Sequence, residues 1–177
     1  MRGAGTALGL VLAAVGCATV SHSGEPVSAR SLEPLIGTWH CTVETSSEDG
    51  SPSAGRAVWE FRWILGGTAV MDRWRSWHED GSELVAVGVR TVDPATGRCT
   101  ARWLPEGVGL SWREYNGAFH DDELVLEGDG QSPSGEEGRV RITFSDISLE
   151  SFEWRMDFSA GGSDGWAEGV SRVSCTR

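Results

Sequence analysis

The sequence predicts an all-β fold: a closed antiparallel meander of ten strands, preceded by a short N-terminal helical turn. Three observations carry that expectation. Short segments from Leu35 onward alternate apolar and polar residues with a period of two. Turn residues punctuate these segments, and the 24 glycines fall mostly in the turns. No convincing helix pattern appears beyond Ser31–Leu35. An even-numbered meander with one apolar face per strand closes on itself and so removes its edges.

Each element has its own pattern. Gly37–Glu44 places Trp39, Cys41 and Val43 on one face, with Thr38, His40 and Thr42 on the other. After a polar loop, Ala57, Trp59, Phe61 and Trp63 share a face opposite Glu60 and Arg62. The Gly66-Gly67 pair turns into Thr68–Trp77. Leu84–Val92 carries Val85, Val87 and Val89, then reaches Asp93-Pro94-Ala95-Thr96-Gly97, a hairpin loop. Arg98–Leu104 aligns Cys99, Ala101 and Trp103. Leu110–Phe119 and Glu123–Glu127 flank the turn at His120-Asp121-Asp122. Val140, Ile142 and Phe144 oppose Arg139, Arg141 and Thr143, and Phe152, Trp154, Met156 and Phe158 oppose Glu153, Arg155 and Asp157. Trp166–Thr176 follows the glycine-rich turn at residues 161–165.

The N-terminus reads as an address. Residues 1–17 combine Met1-Arg2 with the apolar run Ala7–Val15, too short to span a bilayer, which needs about 20 residues. Ala14-Val15-Gly16-Cys17 resembles a bacterial lipoprotein box, so Cys17 is expected to carry lipid; cleavage beside it would instead release a soluble protein. Either route exports the chain, to the periplasm, the outer membrane or the medium. Residues 18–31, small, polar and proline-containing, read as a flexible tether to a barrel over 32–177. Export leaves Cys41, Cys99 and Cys175, of which two should pair. First and last strands of a closed meander are neighbours, so the expected bridge is Cys41–Cys175, with Cys99 a small buried hydrophobe.

Composition excludes several chemistries. All 15 basic residues are arginine, so no lysine is present for a Schiff base or a Walker motif. A net charge of −11 argues against nucleic acid and against anionic membrane surfaces, leaving a lipid anchor as the expected membrane contact. His40, His78 and His120 lack metal-ligand spacing, and no nucleophile elbow is present. No cofactor is expected.

Leu35-Ile36-Gly37-Thr38-Trp39 resembles the G-x-W opening of lipocalin-like barrels, in which the tryptophan plugs one end. Trp63-Ile64-Leu65-Gly66-Gly67, Val92–Arg98 with Trp103, and Asp164-Gly165-Trp166 resemble motifs of a bacterial domain-of-unknown-function family, number 1579. Val92 and Cys99 stand where that family prefers aromatics. The resemblance covers residues 32–177 and implies a lipocalin-like barrel, often exported, with no established reaction. The G-T-W start is also similar to nitrobindin-like haem barrels. Their haem-ligating histidine lies near the chain's end, and here no histidine follows His120, which disfavours haem.

What remains is a lumen. Trp59, Trp63, Trp103, Trp112 and Trp154 lie on the apolar faces of four strands, and indoles suit flat apolar or cationic ligands. The expected function is binding of a small hydrophobic or aromatic molecule, with Trp63, Trp103, Trp112 and Trp154 as walls. Asp72, Glu114 and Asp146 sit in phase with apolar neighbours, and Glu114 or Asp72 is expected to be the polar anchor. Two alternatives stay open: a cavity-type isomerase, cyclase or hydrolase using an inward carboxylate, or a packed scaffold barrel with no ligand. Oligomeric state is not legible in the sequence.

Overall fold

A computed structural model describes residues 28–46, 52–78, 81–107, 112–161 and 165–177. The signal segment, Cys17 and nearly all of the expected tether lie outside these residues.

A 3₁₀ turn, η1 (Ala29–Leu35), opens the described chain, two residues earlier than its sequence suggests. The Ser28 hydroxyl caps it by accepting from the Arg30 amide. Ten strands follow: β1 (Gly37–Ser46), β2 (Pro52–Ile64), β3 (Ala69–His78), β4 (Glu83–Val92), β5 (Cys99–Pro105), β6 (Arg113–His120), β7 (Glu123–Gln131), β8 (Glu137–Ser145), β9 (Ser151–Ala160) and β10 (Ala167–Thr176). Each pairs antiparallel with its sequence neighbours, and β10 returns to β1, so the sheet closes as a barrel. Cys41 lies directly opposite Cys175 across that seam and is bonded to it. Cys99 is buried and free. A disulfide suits an oxidising compartment. No helix among the described residues is long and apolar enough to cross a membrane.

One end of the barrel is plugged. Leu32, Leu35 and Trp39 are fully enclosed, and the Trp39 indole donates to the Leu35 carbonyl at 2.7 Å. Phe152 meets Trp39 edge to face at 4.9 Å, a favoured aromatic geometry. From outside, the Arg177 guanidinium lies 4.2 Å from the Trp39 ring and donates to the carbonyls of Pro34 and Ile36. Gly37 is required at this junction, because its φ of +136° disfavours a side chain and Arg177 fills the place of a Cβ. The G-T-W motif is therefore the local chemistry of a plug.

Most strand faces follow the alternation, and β4 reverses it. Ala86, Gly88, Arg90 and Val92 face inward, while Val85, Val87 and Val89 lie on the outer face. The reason is volume. The register sets Ala86 beside Trp74 and Gly88 beside Asp72, so the bulk on β3 demands small residues on β4.

Candidate ligand-binding site

The other half of the lumen is not filled. A cavity of about 240 Å³ lies among the indoles of Trp59, Trp74, Trp103 and Trp154, with Tyr115, Ile142 and Met156 completing much of the wall. Its lining also includes Val43 and Thr45 late in β1, Ser76 and His78 late in β3, Leu84 early in β4 and Ser171 in β10. Those positions all lie at the end of the barrel opposite the Trp39 plug.

Trp59 organises the interior. Its ring lies 4.9 Å from Trp74, 5.0 Å from Phe61 and 6.3 Å from Trp154. The Trp74 indole donates to the Ser76 hydroxyl at 3.0 Å, and Trp59 donates to Asp72 Oδ1 at 2.8 Å. Each buried indole N–H therefore has an acceptor, which burial requires. Burial pushes the Tyr115 phenol upward, with Arg113 acting against that rise.

Beneath the cavity sits a buried ion pair. Asp72 is fully enclosed and its Oδ2 accepts from Arg90 Nη1; Arg90 is only 5% exposed and lines the cavity. The guanidinium also lies 5.3 Å from the rings of Phe61 and Phe144 and 5.8 Å from Trp59. Gly88 makes the pair possible, since a Cβ there would fall on the Asp72 carboxylate. Arg90 Nε is buried with no hydrogen-bond partner. Burial pushes the nearby Cys99 thiol up to about 11, against the opposing pull of Arg90. A buried thiol of that kind is no nucleophile at neutral pH.

The expected site residues separate into three groups. Trp103 and Trp154 line the cavity. Asp72 points inward, but both oxygens are taken by Arg90 and Trp59, so it anchors the arginine instead of facing a ligand. Trp63, Trp112 and Glu114 lie away from the cavity. Trp63 is half-buried at the plugged end, with Arg30 5.6 Å from its ring. Trp112 precedes β6 and is 44% exposed. Glu114 is on the outer face, where it accepts from Arg102 and Asn116, and these hydrogen bonds hold its carboxyl below the usual range. The physical reason is register: β6 pairs Tyr115 with Ala101 on the inside and Glu114 with Arg102 on the outside. Asp146 is likewise exposed, in the β8–β9 connection.

Two lining groups, Trp74 and Arg90, escaped the sequence reading, and Trp59, named there among the tryptophans on apolar faces, was not among the four chosen as walls. Their signal was present. Asp72 and Trp74 share a phase on β3, and once the hairpin register is known Gly88 and Arg90 fall on the same inward face. Among the described residues no group of three or more His, Cys, Asp or Glu side chains is placed to hold a metal.

No protein family matches this chain, and no curated protein matches it. Solved structures do. Rv2717c from M. tuberculosis is similar at a TM-score of 0.61 and 15% identity, over 85% of this chain and 98% of that one. EF1p2_mFAP2b, solved bound to DFHBI, aligns at a TM-score of 0.43 and 17% identity, over 84% and 98%. The first likeness is one of fold, and with the closed ten-stranded topology it fits a lipocalin-like barrel.

Proposed function

We propose that this chain is an exported barrel that binds a small hydrophobic or aromatic molecule in its lumen, anchored to a membrane, if at all, through lipid on Cys17. The observation that carries the reading is the indole-walled cavity of about 240 Å³ above a plugged barrel end. A dry apolar cavity of about 150 Å³ accepts benzene, whereas drug-sized ligands occupy roughly 300–1,000 Å³. The volume here sets the ligand at one or two rings. Its walls supply stacking faces and few polar groups, which suits a flat apolar body.

Intrinsic tryptophan fluorescence tests this directly. Titration with a panel of one- and two-ring aromatics should give saturable quenching by at least one of them. Trp154→Ala should weaken that binding by roughly 2- to 10-fold, the worth of one aromatic contact, while Trp112→Ala should leave it unchanged. An absence of saturable quenching across the panel, or equal effects of the two substitutions, would favour a packed scaffold barrel.

A further inference from the structure

We propose that the lumen selects an uncharged ligand bearing a hydrogen-bond acceptor, and that Arg90 is the residue that reads it; the inference rests on the lumen being a binding site.

A guanidinium carries five N–H donors and no acceptor. Arg90 is buried on the wall of an apolar cavity, pairs with Asp72 through Nη1, and has its Nε buried without a partner. The unpartnered Nε leaves the guanidinium short of an acceptor, in surroundings where an unmatched donor is costly. The rings of Phe61, Phe144 and Trp59 offer π-faces but no lone pairs. A ligand oxygen in the cavity would give the guanidinium a second acceptor where the Arg90 side chain lines the wall.

The charge of that oxygen follows from Asp72. Arg90 and Asp72 form a neutral pair, and Asp72 is held in place by Trp59 and by the contact with Gly88. A ligand carboxylate would add a negative charge to an apolar lumen in which the one deeply buried cation among the described residues, Arg90, is already matched. Desolvation makes that unfavourable. Arg102, a second arginine among the described lining residues, is paired to Glu114 outside the barrel. A carbonyl, ether or hydroxyl oxygen on one or two aromatic rings satisfies Arg90 without unbalancing the pair.

Three probes of matched shape separate the possibilities: naphthalene, 2-acetylnaphthalene and 2-naphthoate, measured by calorimetry at neutral pH on the whole exported chain. The ketone should bind at least about tenfold more tightly than naphthalene, as one hydrogen bond to a charged donor provides. Naphthoate should bind no more tightly than naphthalene. The double substitution Asp72→Asn with Arg90→Met removes both charges together, so that neither is stranded. It should reduce the ketone's advantage over naphthalene below about threefold. In the native protein the carbonyl stretch of bound 2-acetylnaphthalene should move to lower wavenumber, a readout that needs no variant to fold. Tightest binding of naphthoate, equal binding of ketone and naphthalene, or an unshifted carbonyl would each overturn the role of Arg90 while leaving the lumen a binding site. Failure of all three probes to bind would overturn the binding reading as well.

Discussion

A methyl group at position 88 would have nowhere to go. The Asp72 carboxylate occupies the place where a Cβ would stand, and Asp72 is itself fixed by Arg90 and Trp59. Gly88→Ala should therefore destabilise the barrel by roughly 1–3 kcal/mol through overpacking. Equilibrium urea unfolding checks this, and an unchanged midpoint would show that the ion pair has room to shift. The same cluster explains why Asp72 does not meet a ligand: the carboxylate is fully enclosed and held by Arg90 and Trp59. Residue identity on the outer wall obeys simpler rules. Arg102 faces Glu114, and Arg139 reaches diagonally to Glu127, as opposite charges do across neighbouring strands.

At the scale of elements, the β9–β10 pair departs from regular pairing. Its register shifts between Ala167 and Ser171, where Gly169 takes a φ of +63°. The freed Gly169 amide donates to Asp157 Oδ1 at 2.8 Å, and Arg141 and Arg155 close over the same carboxylate. Burial pushes the Asp157 carboxyl up, but the Gly169 amide and the two arginines outweigh it and hold it below its ordinary value. A carboxylate depressed in the folded state stabilises fully above its unfolded value of 3.8 and loses that contribution as pH falls through the folded one. Asp157→Asn should thus cost about 1–3 kcal/mol at pH 7, the worth of a hydrogen bond to a charged group. The difference from the native protein should shrink as urea midpoints are taken toward pH 2. A difference that stayed constant with pH would mean that shape, not charge, secures the bulge.

For the whole molecule, closure is the decisive event. β1 and β10 meet each other only when the intervening strands close the sheet, and their bond joins cysteines 134 residues apart. Replacing both, Cys41→Ala with Cys175→Ala, should lower stability by about 2–5 kcal/mol, read as a lower urea midpoint under oxidising conditions. An unchanged midpoint would assign the seam's strength to its backbone pairing alone. Closure also divides the lumen. The plugged half is filled by Leu32, Leu35, Trp39 and Phe152, and the other half retains space beside Trp59 and Trp74.

The alternation in β1, β2, β8 and β9, the hairpin at Asp93–Gly97 and the odd cysteine count determined, without any coordinates, a closed ten-stranded meander joined at Cys41 and Cys175. Such features are legible because they depend on period two, turn chemistry and neighbour relations along the chain. The site was legible only in part. Trp103 and Trp154 follow from their own strands, but Trp63 and Trp59 share one face of β2 and differ only in depth along the barrel axis. Depth is set by where the Trp39 plug ends, and no local pattern encodes it. Glu114 misled because alternation carried from Leu110 and Trp112 says nothing about where β6 begins; register with β5 turned it outward. Arg90 was hidden by the valines around it, since β-branched residues suit either face of a strand. Only the packing of β4 against Trp74 and Asp72 decided which face turned inward, and with it that a buried arginine lies beside an open lumen.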